Sequence, residues 1–130
     1  MSDQGNKEQR GTVVVLSRDL FFGMRIRTTL RGMGYSGVLT QDTATFTRHL
    51  TDTNAAPVLG LIDFNQPVDW NELAPAIAAN VSILAFGAHT DVEGFRAAKE
   101  AGVTRVLANG AFSKTLPDLL EKYAIRPPSS

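Results

Sequence analysis

The chain has 130 residues, the usual size of one domain and too short for two hydrophobic cores. Thirteen lysines and arginines balance thirteen aspartates and glutamates, which argues against nucleic acid or an anionic membrane as an electrostatic partner. The absence of cysteine excludes a disulfide framework, a thiolate metal site and a cysteine nucleophile. No apolar run nears the roughly 20 residues that cross a bilayer, and the polar start, Met1 to Arg10, holds no signal-peptide core, so a cytoplasmic protein is expected.

The polar ends, 1–11 and 125–130, read as flexible tails on one domain spanning 12–124. Thr12 to Leu16 (TVVVL) is the first and clearest strand. Asp19 is placed to cap the helix that follows, in which Leu20, Met24, Thr28 and Leu30 approximate one face before Gly32 and Gly34 end it. Gly37 to Thr40 reads as a short second strand. A second helix starts at Asp42 or Thr43, carries Phe46 and Leu50, and dissolves in the polar stretch Thr51 to Ala56. Val58 to Ile62 (VLGLI) has the uninterrupted apolar character of a buried central strand and ends at Asp63.

Pro67 blocks continuation of that strand, and the alanine-rich stretch Trp70 to Ala79 reads as a helix. Pro75 fits there only in the first turn of a later start. Val81 to Phe86 is a fourth strand, Asp91 to Ala101 a fourth helix closed by Gly102, and Val103 to Leu107 a fifth strand. Ser113 is expected to cap the last helix, which runs through Tyr123 with Pro117 near its first turn. This alternation predicts an α/β domain, a doubly wound five-stranded parallel sheet with helices on both faces.

In such a sheet the ligand crevice lies beyond the carboxyl ends of the strands. Ser17, Arg18 and Asp19 follow strand one; Asp63 to Pro67 follow strand three; Gly87, Ala88 and His89 follow strand four; Ala108, Asn109 and Gly110 follow strand five. Asp63 is the most informative position, because a carboxylate at a buried strand end needs a metal, a cation or several donors. The residues leave three roles open for it: a nucleophile, a cap of the following loop, or a partner of Arg18. His89 has no serine, cysteine or second histidine at a comparable strand end, and His49 reads as a surface residue of the second helix. The glycines at 32, 34 and 37 form no dinucleotide-binding turn after strand one. Phe21 and Phe22 exceed what one buried helix face requires, and Val68 with Trp70 places apolar bulk after Pro67; either pair is a partner surface or covers the loop end of the sheet.

The segment Asp63-Phe64-Asn65-Gln66-Pro67 resembles the D-x-x-M-P signature of response regulator receiver domains, with Gln66 in place of the methionine. Gly87-Ala88-His89-Thr90-Asp91, followed by Ala97-Ala98 and Ala101-Gly102-Val103, is similar to the receiver pattern around the fourth helix. The resemblance covers residues 12 to 123 and implies the flavodoxin-like (CheY-like) strand order 2-1-3-4-5. It also implies a phospho-accepting aspartate at Asp63, served by an acidic pair that holds Mg²⁺, a hydroxyl after strand four and a lysine after strand five. In this chain the acidic pair falls on Ser17 and Arg18, with Asp19 one place further on. The hydroxyl falls on Gly87, the lysine and its proline fall on Asn109 and Gly110, and the switch aromatic falls on Val106. Each lost electrostatic contact to a transition state weakens catalysis by about 3 to 4 kcal/mol.

The expectation is therefore a degenerate pseudo-receiver of the two-component type: not an enzyme, without a cofactor, signalling by protein–protein interaction. The resemblance places its partner surface, or a self-association face, on the fourth helix, fifth strand and fifth helix, where Arg96, Lys99, Arg105 and Lys114 lie. Arg18 is expected to stand in for the metal by pairing with Asp63. Two alternatives remain. One is phosphorylation of Asp63 with Mg²⁺ held by Asp19, Asp63 and the Asn65 carbonyl; the other is a small-molecule sensor in the crevice bounded by Ser17, Asp63, Gly87 and Asn109.

Overall fold

Uninterrupted β-branched runs, buried on both faces, are what a parallel sheet under helices requires, and the computed structural model, which describes residues 10–125, has that sheet. Strands β1 (Thr12–Leu16), β2 (Ser36–Thr40), β3 (Pro57–Asp63), β4 (Ser82–Gly87) and β5 (Arg105–Ala108) are all parallel, in the order β2-β1-β3-β4-β5. Helices α1 (Leu20–Gly32), α2 (Thr43–Leu50), α3 (Ala74–Ala78), α4 (Val92–Ala101) and α5 (Asn109–Tyr123) connect and follow them. Every residue of β3 is buried, as befits the centre of the sheet. The flavodoxin-like order implied by the resemblance is the one observed.

Side chains alternate across each strand, so the sheet makes two apolar layers. Val13, Val15, Leu59, Leu61 and Phe86 face α1 and α5, whose Ile26, Leu30, Phe112 and Leu116 complete that layer. Val14, Leu16, Ile62, Ile83 and Ala85 face the other way, against Phe46 and Leu50 of α2, Ala76 of α3 and Ala98 of α4. The register sets Leu16 beside Thr40 and Ile62, Asp63 beside Phe86, and Gly87 beside Ala108. The carboxyl ends of β1, β3, β4 and β5 thus open onto one crevice.

Several elements differ from the sequence reading, each for a local reason. Helix α1 buries Gly23, Ile26 and Leu30 with Phe22 half-buried, while Leu20 and Met24 face solvent. The buried stripe runs Phe22, Ile26, Leu30 at i, i+4, i+8, rotated from the expected face. Trp70–Leu73 is a 3₁₀ turn, and α3 starts only at Ala74, which puts Pro75 in the first turn, where its missing N–H does no harm.

Strand β5 starts at Arg105 instead of Val103. Helix α5 begins at Asn109, four places before the expected cap, because Phe112, Leu116, Leu119 and Leu120 form one buried stripe that must start with Phe112. Ser113 is therefore interior, and so is Pro117. Both are exposed, on the face of α5 away from its buried stripe.

Arg10 and Gly11, assigned to the N-terminal tail, are held in place. The Arg10 amide donates to the Gly34 carbonyl (2.9 Å), its guanidinium meets Glu121 (3.0 Å) and sits over the Tyr35 ring, and Gly11 accepts from the Ser36 amide. Of the expected tails, 1–9 and 126–130 lie outside the described residues, and Ile125 is exposed, its amide donating to the Tyr123 carbonyl at 2.8 Å. Among the described residues no helix is long and apolar enough to cross a membrane.

Gly60, in the middle of β3, sets the spacing of α2 on the sheet, since a Cβ there would lie 2.7 Å from Phe46 Cζ and 3.1 Å from Leu50 Cδ2. Gly60→Val is expected to lower stability by about 1–3 kcal/mol, read as a lower urea midpoint at unchanged m-value. Adding Phe46→Leu should recover part of that loss. Equal midpoints for parent and Gly60→Val would show that this contact does not set the spacing.

Candidate functional site at the carboxyl ends of the strands

Because Leu16 pairs with Ile62, the next residues, Ser17 and Asp63, end adjacent strands side by side. Both are buried, at 5% and 4% exposure. The Ser17 hydroxyl donates to Asp63 Oδ2 at 2.7 Å. Asp63 Oδ1 accepts from the Asn65 backbone amide at 2.9 Å and from Asn65 Nδ2 at 2.7 Å. Asp63 thus caps the loop after β3 and is satisfied by three donors without a cation.

The network extends from both ends of that carboxylate. Ser17 Oγ accepts from the Asp19 amide at 3.1 Å. Asn65 and Asn109 exchange a reciprocal amide pair, each Nδ2 donating to the other's Oδ1 at 2.9 Å. Gln66 Oε1 accepts from the Arg18 amide at 2.5 Å. The loops after β1 and β3 and the start of α5 are therefore joined by side-chain bonds. Around them lies a crevice of about 580 Å³ lined by Arg18, Asp19, Phe22, Asp63, Asn65, Gln66 and Asn109.

The expected Arg18–Asp63 pair does not form. Arg18 is exposed and makes no ion pair among the described residues. Ser17 and Asn65 donate to the two Asp63 oxygens in its place. Arg18 acts instead, weakly, on Asp42, whose carboxyl is held below the usual carboxylate range first by the Thr45 amide and hydroxyl and then by Arg48 and Arg18.

A Mg²⁺ ion, implied by the resemblance, can be tested against the donors present. Asp19 Oδ1 accepts from the Phe22 amide at 3.0 Å, so its carboxylate caps α1. No three metal-ligating side chains cluster among the described residues, and no buried side-chain polar atom among them lacks a partner. With serine and arginine at the acidic-pair positions, the oxygens left for the ion are the Asp19 and Asp63 carboxylates, both already accepting hydrogen bonds within the chain, and the Asn65 carbonyl.

Gly87 does not line the crevice as expected. A Cβ at this position would lie 2.3 Å from Phe64 Cε1 and 2.5 Å from Phe64 Cδ1. The Phe64 ring also fills the space beside Gly94, packing edge-on against Phe95 at 5.4 Å and Trp70 at 6.2 Å. The position at which receivers carry a hydroxyl is thus covered by an aromatic ring. Val106 lies half-buried on β5 among the apolar side chains of the α2–α4 layer. His89 is exposed and His49 half-buried, each apart from the network. Sequence reasoning missed Phe64 and Phe112. The buried stripe from residue 112 could have revealed the second, but nothing local reveals that Phe64 and Gly87 meet.

No family model matches the chain, and no curated protein sequence matches it significantly. Solved structures do. FixJ-N superposes with a TM-score of 0.73 at 15% identity, covering 92% of this chain and 98% of that one. A response regulator receiver domain protein from Clostridium thermocellum gives 0.72 at 13% identity over 88% and 94% of the two chains. The Vibrio cholerae chemotaxis protein CheY4 gives 0.67 at 18% identity over 87% and 98%. The chain therefore has the receiver fold.

Asp63→Ala leaves the Ser17 hydroxyl and the Asn65 amide without their acceptor and is expected to lower stability by about 1–3 kcal/mol. Asp63→Asn keeps one acceptor oxygen and should lose less; equal midpoints for all three proteins in denaturant titrations would refute this. Gly87→Ser is expected to destabilise by roughly 1–3 kcal/mol through its clash with Phe64. Combining it with Phe64→Val should cost less than the sum of the single changes, whereas strict additivity in a double-mutant cycle would show that the ring does not block the position.

Proposed function

We propose that this chain is a receiver-like signalling module that works by binding another protein and does not use phosphorylation of Asp63. One observation carries the reading: both Asp63 oxygens are hydrogen-bonded within the protein, to Ser17 and Asn65. An attacking carboxylate needs an accessible lone pair, a metal to neutralise the phosphoryl group and donors that hold it after transfer, whereas Asp63 is 4% exposed and already accepts three hydrogen bonds. Asn109, at the lysine position, is committed to Asn65, and Phe64 covers Gly87. Catalysis of another kind finds little support, since the exposed His89 has no nucleophile beside it in the crevice.

Intact-mass analysis after incubation with acetyl phosphate and Mg²⁺ tests this reading. No phosphoryl adduct is expected on the parent or on Asp63→Asn, under conditions that label a conventional receiver. An adduct on the parent that Asp63→Asn abolishes would overturn the proposal and establish the chain as a phospho-switch.

A further inference from the structure

An asparagine followed by glycine is the pair at which a backbone amide nitrogen reaches a side-chain carboxamide most easily, because glycine brings no Cβ to crowd the approach. Of the asparagines in the sequence, only Asn109 precedes a glycine. The pair lies in the candidate site. Asn109 lines the crevice, Gly110 is exposed, and a Cβ built on Gly110 meets nothing within 4 Å.

Its place in α5 decides whether the attack is open. Inside a helix a backbone amide is engaged as donor to the carbonyl four residues back, which removes it as a nucleophile. Asn109 and Gly110 are the first two residues of α5, where amides have no intrahelical partner, and the Gly110 amide donates no hydrogen bond among the described residues. The positive end of the helix dipole lies here and favours the negative charge that grows on that nitrogen as its proton leaves. One contact restrains the reaction: the Asn109 carboxamide is held to Asn65 by the reciprocal pair of 2.9 Å bonds. Asn65 is exposed and Asn109 half-buried, so water competes for both bonds and the pair opens without unfolding of the sheet.

We propose that Asn109 is a site of spontaneous, backbone-assisted deamidation, with Asn65 as the latch that sets its rate. Hydroxide removes the Gly110 amide proton, and the nitrogen attacks Asn109 Cγ. The new C–N bond closes a cyclic succinimide while the Cγ–Nδ2 bond breaks; Nδ2 leaves as ammonia with a proton from water, which regenerates hydroxide. A water molecule then opens the ring. Aspartate results where the bond from Cγ to the Gly110 nitrogen breaks, and isoaspartate where the bond from the Asn109 backbone carbonyl carbon breaks. Either product adds a carboxylate to the crevice that Asp19 and Asp63 already line, and removes the Nδ2 donor that Asn65 Oδ1 accepts. The tie between the loop after β3 and α5 is thereby weakened. This chemistry does not depend on whether Asp63 accepts a phosphoryl group.

The test incubates the full chain and its variants in mildly alkaline buffer below their melting temperatures, then digests samples with trypsin at intervals and separates the forms of peptide 106–114, released by cleavage after Arg105 and Lys114. Time-dependent conversion of the Asn109 form into two acidic products is expected, one of them a substrate of protein isoaspartyl methyltransferase. Gly110→Ala adds a methyl group where there is room, and a better helix former, so it should fold and slow conversion severalfold. Asn65→Ser keeps the backbone amide that caps Asp63 but cannot form the reciprocal pair, and should speed conversion severalfold. Fragmentation mass spectrometry of Asn54 and Asn80 in the same digests supplies internal standards, whose rates should not change.

No product at Asn109 while synthetic peptide 106–114 converts would overturn the proposal, as would equal rates for the parent and Gly110→Ala. Aspartate without isoaspartate would overturn it too, since direct hydrolysis of the side-chain amide gives aspartate alone. An unchanged rate in Asn65→Ser, or acceleration that Asn54 and Asn80 share, would overturn the role of Asn65 as latch. A phosphoryl adduct is scored at Asp63 and deamidation at Asn109, so the function proposed above and this modification fail separately.

Discussion

A carboxylate buried at the end of a central strand must be hydrogen-bonded, because transferring it from water without partners carries a large penalty. Asp63 meets that demand with the Ser17 hydroxyl and two donors from Asn65. Each of these bonds involves a second group that ties another loop. Ser17 also accepts the Asp19 amide, next to the cap of α1, and Asn65 is bound to Asn109 at the start of α5. Charge-assisted bonds of this kind are among the stronger ones available to a protein. Their arrangement gives this carboxylate a structural role: it holds three chain segments together.

The next residue extends the same logic to the other layer of the sheet. Side chains alternate at a strand end, so Asp63 faces the crevice and Phe64 turns toward Phe95 and Trp70. Phe64 needs the space that a side chain at 87 or 94 would take, and glycine at both positions leaves it free. On the opposite layer Phe86 stacks on Phe112 at 4.0 Å with Phe22 edge-on. Restoring a hydroxyl at 87 would thus require repacking an aromatic cluster, and restoring a lysine at 109 would release Asn65 from its reciprocal bond. The departures from the receiver pattern are mutually fitted.

Much of this fold was legible because central parallel strands are long, apolar and β-branched. TVVVL and VLGLI could hardly be anything else, and Asp63 at the end of the second was identifiable as a pivotal residue. Elements that depend on packing were less legible. The face of α1 was misread because Leu20 and Met24 are as apolar as Phe22 and Ile26, and only the helix's position on β1 and β2 decides between them. The start of α5 was hidden by Ser113, a good cap in isolation that is overridden by the need to bury Phe112. At the site, the residue types at each strand end were readable, yet their pairing was not. Arginine beside aspartate suggested an ion pair, and a short serine one position earlier reached the carboxylate first.

A ligand or modification moves a conformational equilibrium only by its differential affinity for the two states. In a receiver that switches, the phosphoryl group supplies that difference at the strand-end crevice. Here the crevice groups are bonded to one another, Gly87 is covered by Phe64 and Val106 stands where the receiver pattern has an aromatic. The aromatic side chains packed against the sheet fall into its two apolar layers, and Phe21, at 87% exposure beside Leu20 and Met24, is the one that the packing of α1 leaves uncovered.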